Sequence, residues 1–413
     1  MNSQLLIRPG PNDHRVVENL LAPGGSGIFK TRRPLIGQLV ADATVASYRP
    51  SLADAAAAAG IPYLVDPLTP LFQGELPPND RWATLPYGRA ETLAPEDFDG
   101  QSARDDLVAA VVTFQVEHGA SAVIPPYMYA KSASDPWFEL SLDLVVRTAA
   151  FMAKSGVGLP IVPILCGQLQ HFGLPERWSE GVGRFADVAR SVEPQFFGLC
   201  LSPVGTANES YGKVQRLFAT ALRLRATGTR VIAWRQGIYG PGLVAAGLDG
   251  YETGIGSREH SDIAASISRR KPRPADAARK PRDYHGILLL PLGRSLAVPI
   301  AKRLLEDLPM RAKVVCDDER CCSDGIRSMV EAYREHTVRT RARHLADLDD
   351  MPMPDWRLFK IGRDAREAVT LILQANQVLA RNSEEPTSLP SGSMASLAQV
   401  ADHLLEERIR RGA

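Results

Sequence analysis

An aspartate at the end of an apolar segment is the first residue whose type and position could do chemistry. Asp66 closes the apolar run that begins at Tyr63, and Pro67 after it fixes the corner and lacks a backbone donor. A carboxylate at the end of a strand can serve as a general base or a nucleophile. It can equally cap the turn by accepting hydrogen bonds from backbone amides. The residues alone leave both roles open for Asp66.

An arginine follows another apolar segment in the same way. Arg235 lies directly after Trp234 and before Gln236. A guanidinium at the end of a strand suits a bidentate grip on a carboxylate or a phosphate. The alternative is a salt bridge from Arg235 to Glu252 or Asp66. Under either interpretation, we predict that Arg235 faces the rim of the sheet.

The segment at residues 250–259 is rich in glycine and carries two glutamates. Gly254 and Gly256 let the backbone approach a ligand, and amides up to Arg258 could hold a phosphate before a helix. Glu259 could hold a ribose or a basic group. Glycines at this spacing also form ordinary turns, so the segment predicts a phosphate site without excluding a plain loop.

Three of the five cysteines lie close together, at Cys316, Cys321 and Cys322. His336 and His344 follow on a predicted helix. Thiolates together with an imidazole are the ligand set of a closed zinc site. The alternative is that these are small buried residues of a core. The cluster therefore predicts either a zinc site or a group of buried core cysteines in this part of the chain.

Elements that alternate along the chain must position these residues. Short apolar segments without alternation are typical of parallel strands that are covered on both faces, and a helical stretch follows most of them. Strand–helix alternation favours a parallel α/β sheet, and eight repeats favour a (β/α)8 TIM-type barrel. An open doubly wound sheet is the alternative. The eight predicted strands lie at residues 63–67, 122–127, 160–166, 196–202, 230–235, 250–255, 286–291 and 313–317.

The barrel is predicted to carry an extension at each end. Residues 1–60 contain two further strand-like segments, which either cap the barrel or move its start. Residues 61–328 form the predicted barrel. Residues 329–413 read as a C-terminal helical extension that packs on the barrel or on a protein partner.

Composition limits the function classes. Of the 413 residues, 45% are hydrophobic and 23% are charged, which is typical of a globular protein. The net charge is +1, so no overall electrostatic field attracts nucleic acid or a membrane. The basic segment at residues 269–282 is a local patch that could touch a nucleic acid. The longest apolar runs are too short to cross a bilayer. Five cysteines, an odd number, predict a reducing compartment, and hence a cytoplasmic protein.

The final third of the chain resembles the tRNA-guanine transglycosylase superfamily, including its DNA-modifying relatives. The resemblance rests on the cysteine cluster after the last predicted strand, on His344 in a helix, and on the helical tail. It implies structural zinc held by the three cysteines and His344. It also implies base exchange by two aspartates at the rim of the barrel. In this chain, Asp66 and either Asp317 or Asp318 would take these two roles. One aspartate would attack the anomeric carbon of a nucleotide, and a deazaguanine would replace the departing guanine.

Three functions follow as hypotheses. The first is a barrel enzyme acting on a nucleobase or nucleotide, within tRNA or DNA. The second is a flavin-dependent barrel oxidoreductase with FMN phosphate at the glycine-rich segment. The third is a non-catalytic component of a multi-protein system that docks through its C-terminal helices. The predicted catalytic residues are Asp66, Asp317 and Asp318, and the predicted substrate-binding residues are Tyr127, Gln168, Arg235, Gln236, Glu252, Gly254, Gly256, Arg258 and Glu259.

Overall fold

A sheet of seven parallel strands forms the centre of the structure, a computed structural model that describes residues 3–22, 34–74, 80–89, 91–205, 208–256, 259–268, 286–381 and 387–412. Nearly every strand residue is buried, as expected for parallel strands covered on both faces. The strands are β1 (Gln4–Arg8), β2 (Gln38–Asp42), β3 (Tyr63–Asp66), β4 (Ile164–Gln168), β5 (Phe197–Ser202), β6 (Val231–Ala233) and β7 (Gly250–Gly254).

The order of the strands is that of a singly wound sheet. Neighbours run β3-β2-β1-β7-β6-β5-β4, so the first strand lies beside the last. A doubly wound sheet would instead place β4 beside β1. The segment around Val123 contacts both outer strands. Ala122 forms an isolated parallel bridge to Leu64 of β3, and Val123 forms one to Ile161, just before β4.

Helices connect the strands and cover the sheet. The helix that precedes β4 shows how the sequence sets the bounds. Asp135 caps its start by accepting a hydrogen bond from the Trp137 amide, Pro136 takes the first turn, and Gly156 ends it with φ 69°. The helices are α1 (His14–Leu21), α2 (Ala43–Tyr48), α3 (Ser51–Ala58), α4 (Asp80–Ala83), α5 (Gln101–Glu117), α6 (Pro136–Ser155), α7 (Leu169–Phe172), α8 (Val182–Arg190), α9 (Tyr211–Arg225), α10 (Gly240–Ala246), α11 (Ile263–Ser268), α12 (Val298–Glu306), α13 (Leu308–Val314), α14 (Ile326–Glu331), α15 (Tyr333–Asp349), α16 (Pro354–Arg381) and α17 (Gly392–Gly412).

The predicted α/β class and its parallel sheet are confirmed, but the strands assigned to the sheet are corrected at both ends. The two N-terminal segments are β1 and β2, which lie inside the sheet and do not cap it. The predicted strand at 286–291 is β8 (Gly286–Leu289), which pairs antiparallel with β9 (Arg294–Ala297) in a separate two-stranded sheet. The predicted strand at 313–317 is wrong, because α13 occupies Leu308–Val314. The Asp307 side chain caps the start of that helix by accepting a hydrogen bond from the Met310 amide. This cap outweighs the strand tendency of the short apolar run.

The C-terminal helices pack on the rest of the chain. α16 and α17 lie against each other, α17 also contacts α9, and α15 contacts β8 and β1. α16 buries Leu358, Ile372 and Leu379, whereas Trp356 and Phe359 on the same helix are exposed. The predicted docking of a protein partner on these helices stays a prediction. Among the described residues, no helix is long and apolar enough to cross a membrane.

Candidate active site at the carboxyl ends of the strands

Arg8, the last residue of β1, lies at the centre of a buried group of charges. Its side chain is 0% exposed. It donates to Asp66 Oδ2 at 2.8 Å, to Glu252 Oε1 at 2.9 Å, and to Asp42. These acids end or lie near the ends of neighbouring parallel strands, whose carboxyl ends meet at one edge. Burial alone would lower the pKa of Arg8, but the three carboxylates outweigh burial and hold the pKa well above its usual value.

Asp66 accepts hydrogen bonds from four donors. Oδ1 accepts from the Leu68 amide and from the Tyr127 hydroxyl, each at 2.9 Å. Oδ2 accepts from Arg8 at 2.8 Å and from Trp234 Nε1 at 3.2 Å. Burial and the neighbouring Asp66 carboxylate raise the pKa of Tyr127, so that hydroxyl keeps its proton and donates it. The geometry suits Asp66 to orient its neighbours, and its catalytic role stays a prediction.

Arg235 presents a guanidinium with unused donors. Its backbone has φ 58°, in the left-handed region where non-glycine residues are uncommon. The Arg235 amide donates to Glu252 Oε2 at 3.0 Å, which holds the residue in place. In the described part of the chain, the guanidinium forms one ion pair, with Asp42 at 3.8 Å, and this separation exceeds a hydrogen bond. Arg235 Nε is buried without a partner, although 13% of the side chain reaches solvent.

Two amide side chains also lie at this edge. Gln168 ends β4 and is half-buried. Gln236 is 1% exposed, and its Nε2 has no hydrogen-bond partner among the described residues. Cys166 of β4 and Cys200 of β5 lie opposite each other in register, and burial raises the pKa of the Cys166 thiol. The edge therefore holds charged, amide and thiol groups from all seven strands of the sheet or the loops that follow them.

The glycine-rich segment has a packing explanation. Gly254 ends β7 in register with Arg8. Gly256 has φ 64°, and its carbonyl accepts from the Gly286 amide at 2.7 Å. A Cβ at Gly256 would lie 2.5 Å from the Gly286 oxygen, so the close approach of β8 requires glycine there. Arg258 and the basic segment at 269–282 lie outside the described residues, so their predicted roles stay predictions.

Glu259 belongs to a second buried ion pair. Its Oε1 accepts from Arg341 Nη2 of α15 at 2.6 Å and from the Ser295 hydroxyl at 2.8 Å. Arg341 also donates to the Gly237 carbonyl at 2.7 Å. Glu259 thus links the loop after β7 to β9 and to α15, and the contacts around it are structural. Its predicted substrate contact stays a prediction.

The two C-terminal acids predicted to be catalytic lie elsewhere. Asp317 is exposed and pairs with Arg343 at 3.1 Å, and Asp318 pairs with Arg343 at 3.5 Å. Among the described residues, neither acid shares a hydrogen bond or an ion pair with the group around Arg8. Their side chains belong to the turn that carries the cysteines.

Four candidate metal ligands do come together, in what we call the Cys/His cluster: Cys316, Cys321, Cys322 and His336. Their ligand atoms all lie within 4.8 Å of one another. Burial lowers the pKa of His336, but contacts with Cys316 and Cys321 outweigh it and raise the pKa to about 9. The predicted fourth ligand, His344, is not in the cluster. It lies further along α15 and lines a cavity of about 230 Å³ between α10, α16 and α17.

Sequence reasoning missed Arg8, Asp42 and His336. Arg8 and Asp42 end β1 and β2 just as Asp66 ends β3, so the rule that found Asp66 would have found them. They were passed over because their strands were assigned to an N-terminal extension. His336 was named beside His344, but the spacing gave no reason to prefer it.

Comparison with known proteins finds similarity to solved structures alone. No family model and no curated protein matches the chain. Among solved structures, the chain is similar to one described as a phosphonomutase from Burkholderia cenocepacia J2315, with 13% identity, TM-score 0.34, and 61% of this chain and 86% of that chain covered. It is similar to one described as a dihydrodipicolinate synthetase from Pseudomonas aeruginosa, with 12% identity, TM-score 0.32, and 98% and 100% covered. It is also similar to N-acetylneuraminate lyase from Mycoplasma synoviae, with 9% identity, TM-score 0.30, and 98% and 97% covered.

These comparisons correct one expectation. The solved structures found are described as a phosphonomutase, a dihydrodipicolinate synthetase and a lyase, and the resemblance to the tRNA-guanine transglycosylases is wrong. The structure agrees, because His344, on which that resemblance partly rested, lies apart from the cysteines.

Proposed function

We propose that the chain is a (β/α)8-barrel enzyme whose active site is the mouth at the carboxyl ends of its strands. The segment around Val123 would be the eighth strand, since the Val123 amide donates to the Pro160 carbonyl at 2.8 Å and the Ser121 amide to the Tyr63 carbonyl at 2.7 Å. These hydrogen bonds connect the two outer strands of the sheet. Active sites of such barrels lie at this end, where loops from several strands converge.

The observation that carries the proposal is the unused guanidinium of Arg235. A buried arginine normally has its donors satisfied, because an unpaired donor costs about 1–3 kcal/mol. Within the described part of the chain, Arg235 Nε has no partner, and the ion pair with Asp42 at 3.8 Å leaves donors free. Non-glycine residues in the left-handed region cluster at functional sites, where the surrounding contacts hold them. We infer that Arg235 binds a carboxylate or phosphate group of a small substrate.

Asp42 is the residue that we assign to proton transfer. Of the three acids around Arg8, Asp66 and Glu252 have side chains that are 0% exposed, whereas Asp42 is 5% exposed. Asp42 also faces Arg235, so it is the carboxylate beside the proposed anion. Arg8 holds Asp42 in position, and the Tyr127 hydroxyl donates to the neighbouring Asp66. An acid–base group beside an anion subsite is what proton abstraction or addition on a small acid requires.

Anion binding can be measured without knowing the reaction. Thermal unfolding of the full chain is followed with inorganic phosphate, pyruvate or a nucleoside monophosphate. An anion present at 100 times its Kd stabilises the folded chain by about 2.7 kcal/mol. We expect this stabilisation in the wild type, and we expect Arg235→Ala to lose it. Arg184→Ala is the matched control, because Arg184 is exposed and pairs with Glu139.

The outcomes separate the hypotheses. Equal stabilisation of Arg235→Ala and the wild type, or none with any of the three anions, overturns the proposal. Stabilisation by the nucleoside monophosphate beyond that by phosphate favours the predicted nucleotide substrate. Stabilisation by pyruvate alone favours a small carboxylic acid. Asp42→Asn should retain anion binding, and once a substrate is known it should lose turnover.

A further inference from the structure

We propose that the Cys/His cluster is a structural zinc site with Cys316, Cys321, Cys322 and His336 as its ligands. A tetrahedral zinc ion with Zn–S of about 2.3 Å and Zn–N of about 2.0 Å separates two sulfurs by about 3.8 Å and a sulfur from a nitrogen by about 3.5 Å. The Cys321 and Cys322 sulfurs are 3.7 Å apart. The Cys321 sulfur lies 3.4 Å from His336 Nδ1, and the Cys322 sulfur lies 3.3 Å from it. These three separations match the edges of one tetrahedron, and Cys316 Sγ lies within 4.8 Å of the other three ligand atoms.

The histidine is oriented as a metal ligand. Its Nε2 lies 2.8 Å from the Leu288 carbonyl, which can only accept, so Nε2 carries a proton and donates it. Nδ1, the nitrogen that faces the sulfurs, is then the one whose lone pair can bind a metal. A backbone carbonyl that fixes the far nitrogen is the usual support of a metal-bound histidine.

The turn that carries the cysteines is also held in place. The Cys321 and Cys322 amides both donate to the Asp318 carbonyl, at 2.9 and 2.7 Å. The Arg320 amide donates to Asp318 Oδ1 at 3.0 Å. This compact turn aims two adjacent cysteines at the same histidine, which an extended chain could not do because successive side chains would point apart.

The composition of the cluster decides the metal and its role. Three thiolates and one neutral imidazole favour zinc over calcium or magnesium, which prefer oxygen ligands. Binding releases the three thiol protons and any second proton on the imidazole, and leaves the site with a net charge of −1. Four protein ligands fill the tetrahedron, so no position remains for water or substrate. The ion would join the cysteine turn, α15 and, through Leu288, β8.

The metal content of purified chain tests the proposal. The full chain is purified without added metal, and zinc is measured by mass spectrometry beside total protein. We expect one zinc per chain in the wild type and loss of zinc in His336→Gln and Cys321→Ser. His344→Gln is the matched control, because it changes the same residue type on the same helix outside the cluster. It should retain zinc in full.

A second measurement covers the case in which the cysteine variants do not fold. Cobalt replaces zinc in the wild-type chain, and the visible spectrum then reports tetrahedral coordination and thiolate ligands. We expect both signatures in wild type and in His344→Gln. Wild-type chain that holds no zinc and gives no such cobalt spectrum overturns the proposal. Iron in place of zinc, or zinc lost from His344→Gln and kept in His336→Gln, also overturns it.

Discussion

Replacing Arg8 with methionine removes the cation that pairs with two fully buried carboxylates, Asp66 and Glu252. Among the described residues, Asp66 and Glu252 have no other ion pair within 4.0 Å, while Asp42 has a second, longer one with Arg235. Removing one partner of a buried pair costs about 3–5 kcal/mol. Because Arg8→Met leaves two acids without a cation, we expect a loss at the upper end of that range. A domain has only about 5–15 kcal/mol of stability in total, so the variant should be close to unfolding.

Urea denaturation of the wild type and the variants measures this loss. The matched control is Arg184→Met, which breaks an ion pair with Glu139 whose side chains are 47% and 50% exposed. Exposed pairs contribute about 0–1 kcal/mol, so the control should change stability little. In a double-mutant cycle, Glu252→Gln should couple to Arg8→Met by about 0.5–3 kcal/mol, because the two side chains share two hydrogen bonds.

The result that would refute this reasoning is a loss in Arg8→Met no larger than in Arg184→Met. It would mean that Arg8 does not hold the three acids as described. The arrangement at the mouth, including the position of Asp42 beside Arg235, would then need revision.

Two further predictions concern the surroundings of the site. Gly256→Ala should destabilise the chain by more than about 1–2 kcal/mol, because φ is 64° and the new Cβ would meet the Gly286 oxygen at 2.5 Å. Gly212→Ala, whose Cβ meets nothing within 4 Å near the start of α9, should be neutral or stabilise by up to about 1 kcal/mol in the same urea measurement. Burial, and secondly Lys360, lowers the pKa of His344 to about 4, below the value of about 6.5 in the unfolded chain. The folded chain then binds fewer protons, so stability should fall by up to about 3 kcal/mol as pH drops from 6.5 towards 4, and His344→Gln should remove this slope. A slope unchanged in His344→Gln would contradict the assignment.

The strand-end residues show what the sequence could predict. Asp66 closes and Arg235 follows a continuous apolar run, Glu252 lies in the glycine-rich segment that forms β7, and all three lie at the same edge of the sheet. This prediction needs only the local sequence, because the carboxyl ends of parallel strands lie at the same edge of the sheet whatever the order of the strands. The partners of these residues were not predictable in the same way. Arg8 could be placed at the centre only once β1 was known to lie between β2 and β7.

The metal ligands show the opposite case. His336 and His344 are eight residues apart on α15, which rotates them by about 80° around the helix and separates them by about 12 Å. Only one can face the cysteine turn, and the helix itself favours neither. The choice depends on where β8 and the turn at Asp318 lie, which are tertiary contacts. The residue types predicted the kind of site, and the fold selects the histidine.

α15 connects the two sites by a short path. His336 at its start belongs to the Cys/His cluster, and Arg341, about 7.5 Å further along the axis, donates to the Gly237 carbonyl and to Glu259. Gly237 is two residues after Arg235, whose guanidinium is the proposed anion subsite. A helix held at one end by the proposed zinc ion and bonded at its middle to this loop would restrict how far the loop can move. The C-terminal helices therefore do more than cover the sheet, because α15 hydrogen-bonds to the loop from which the proposed substrate-binding arginine projects.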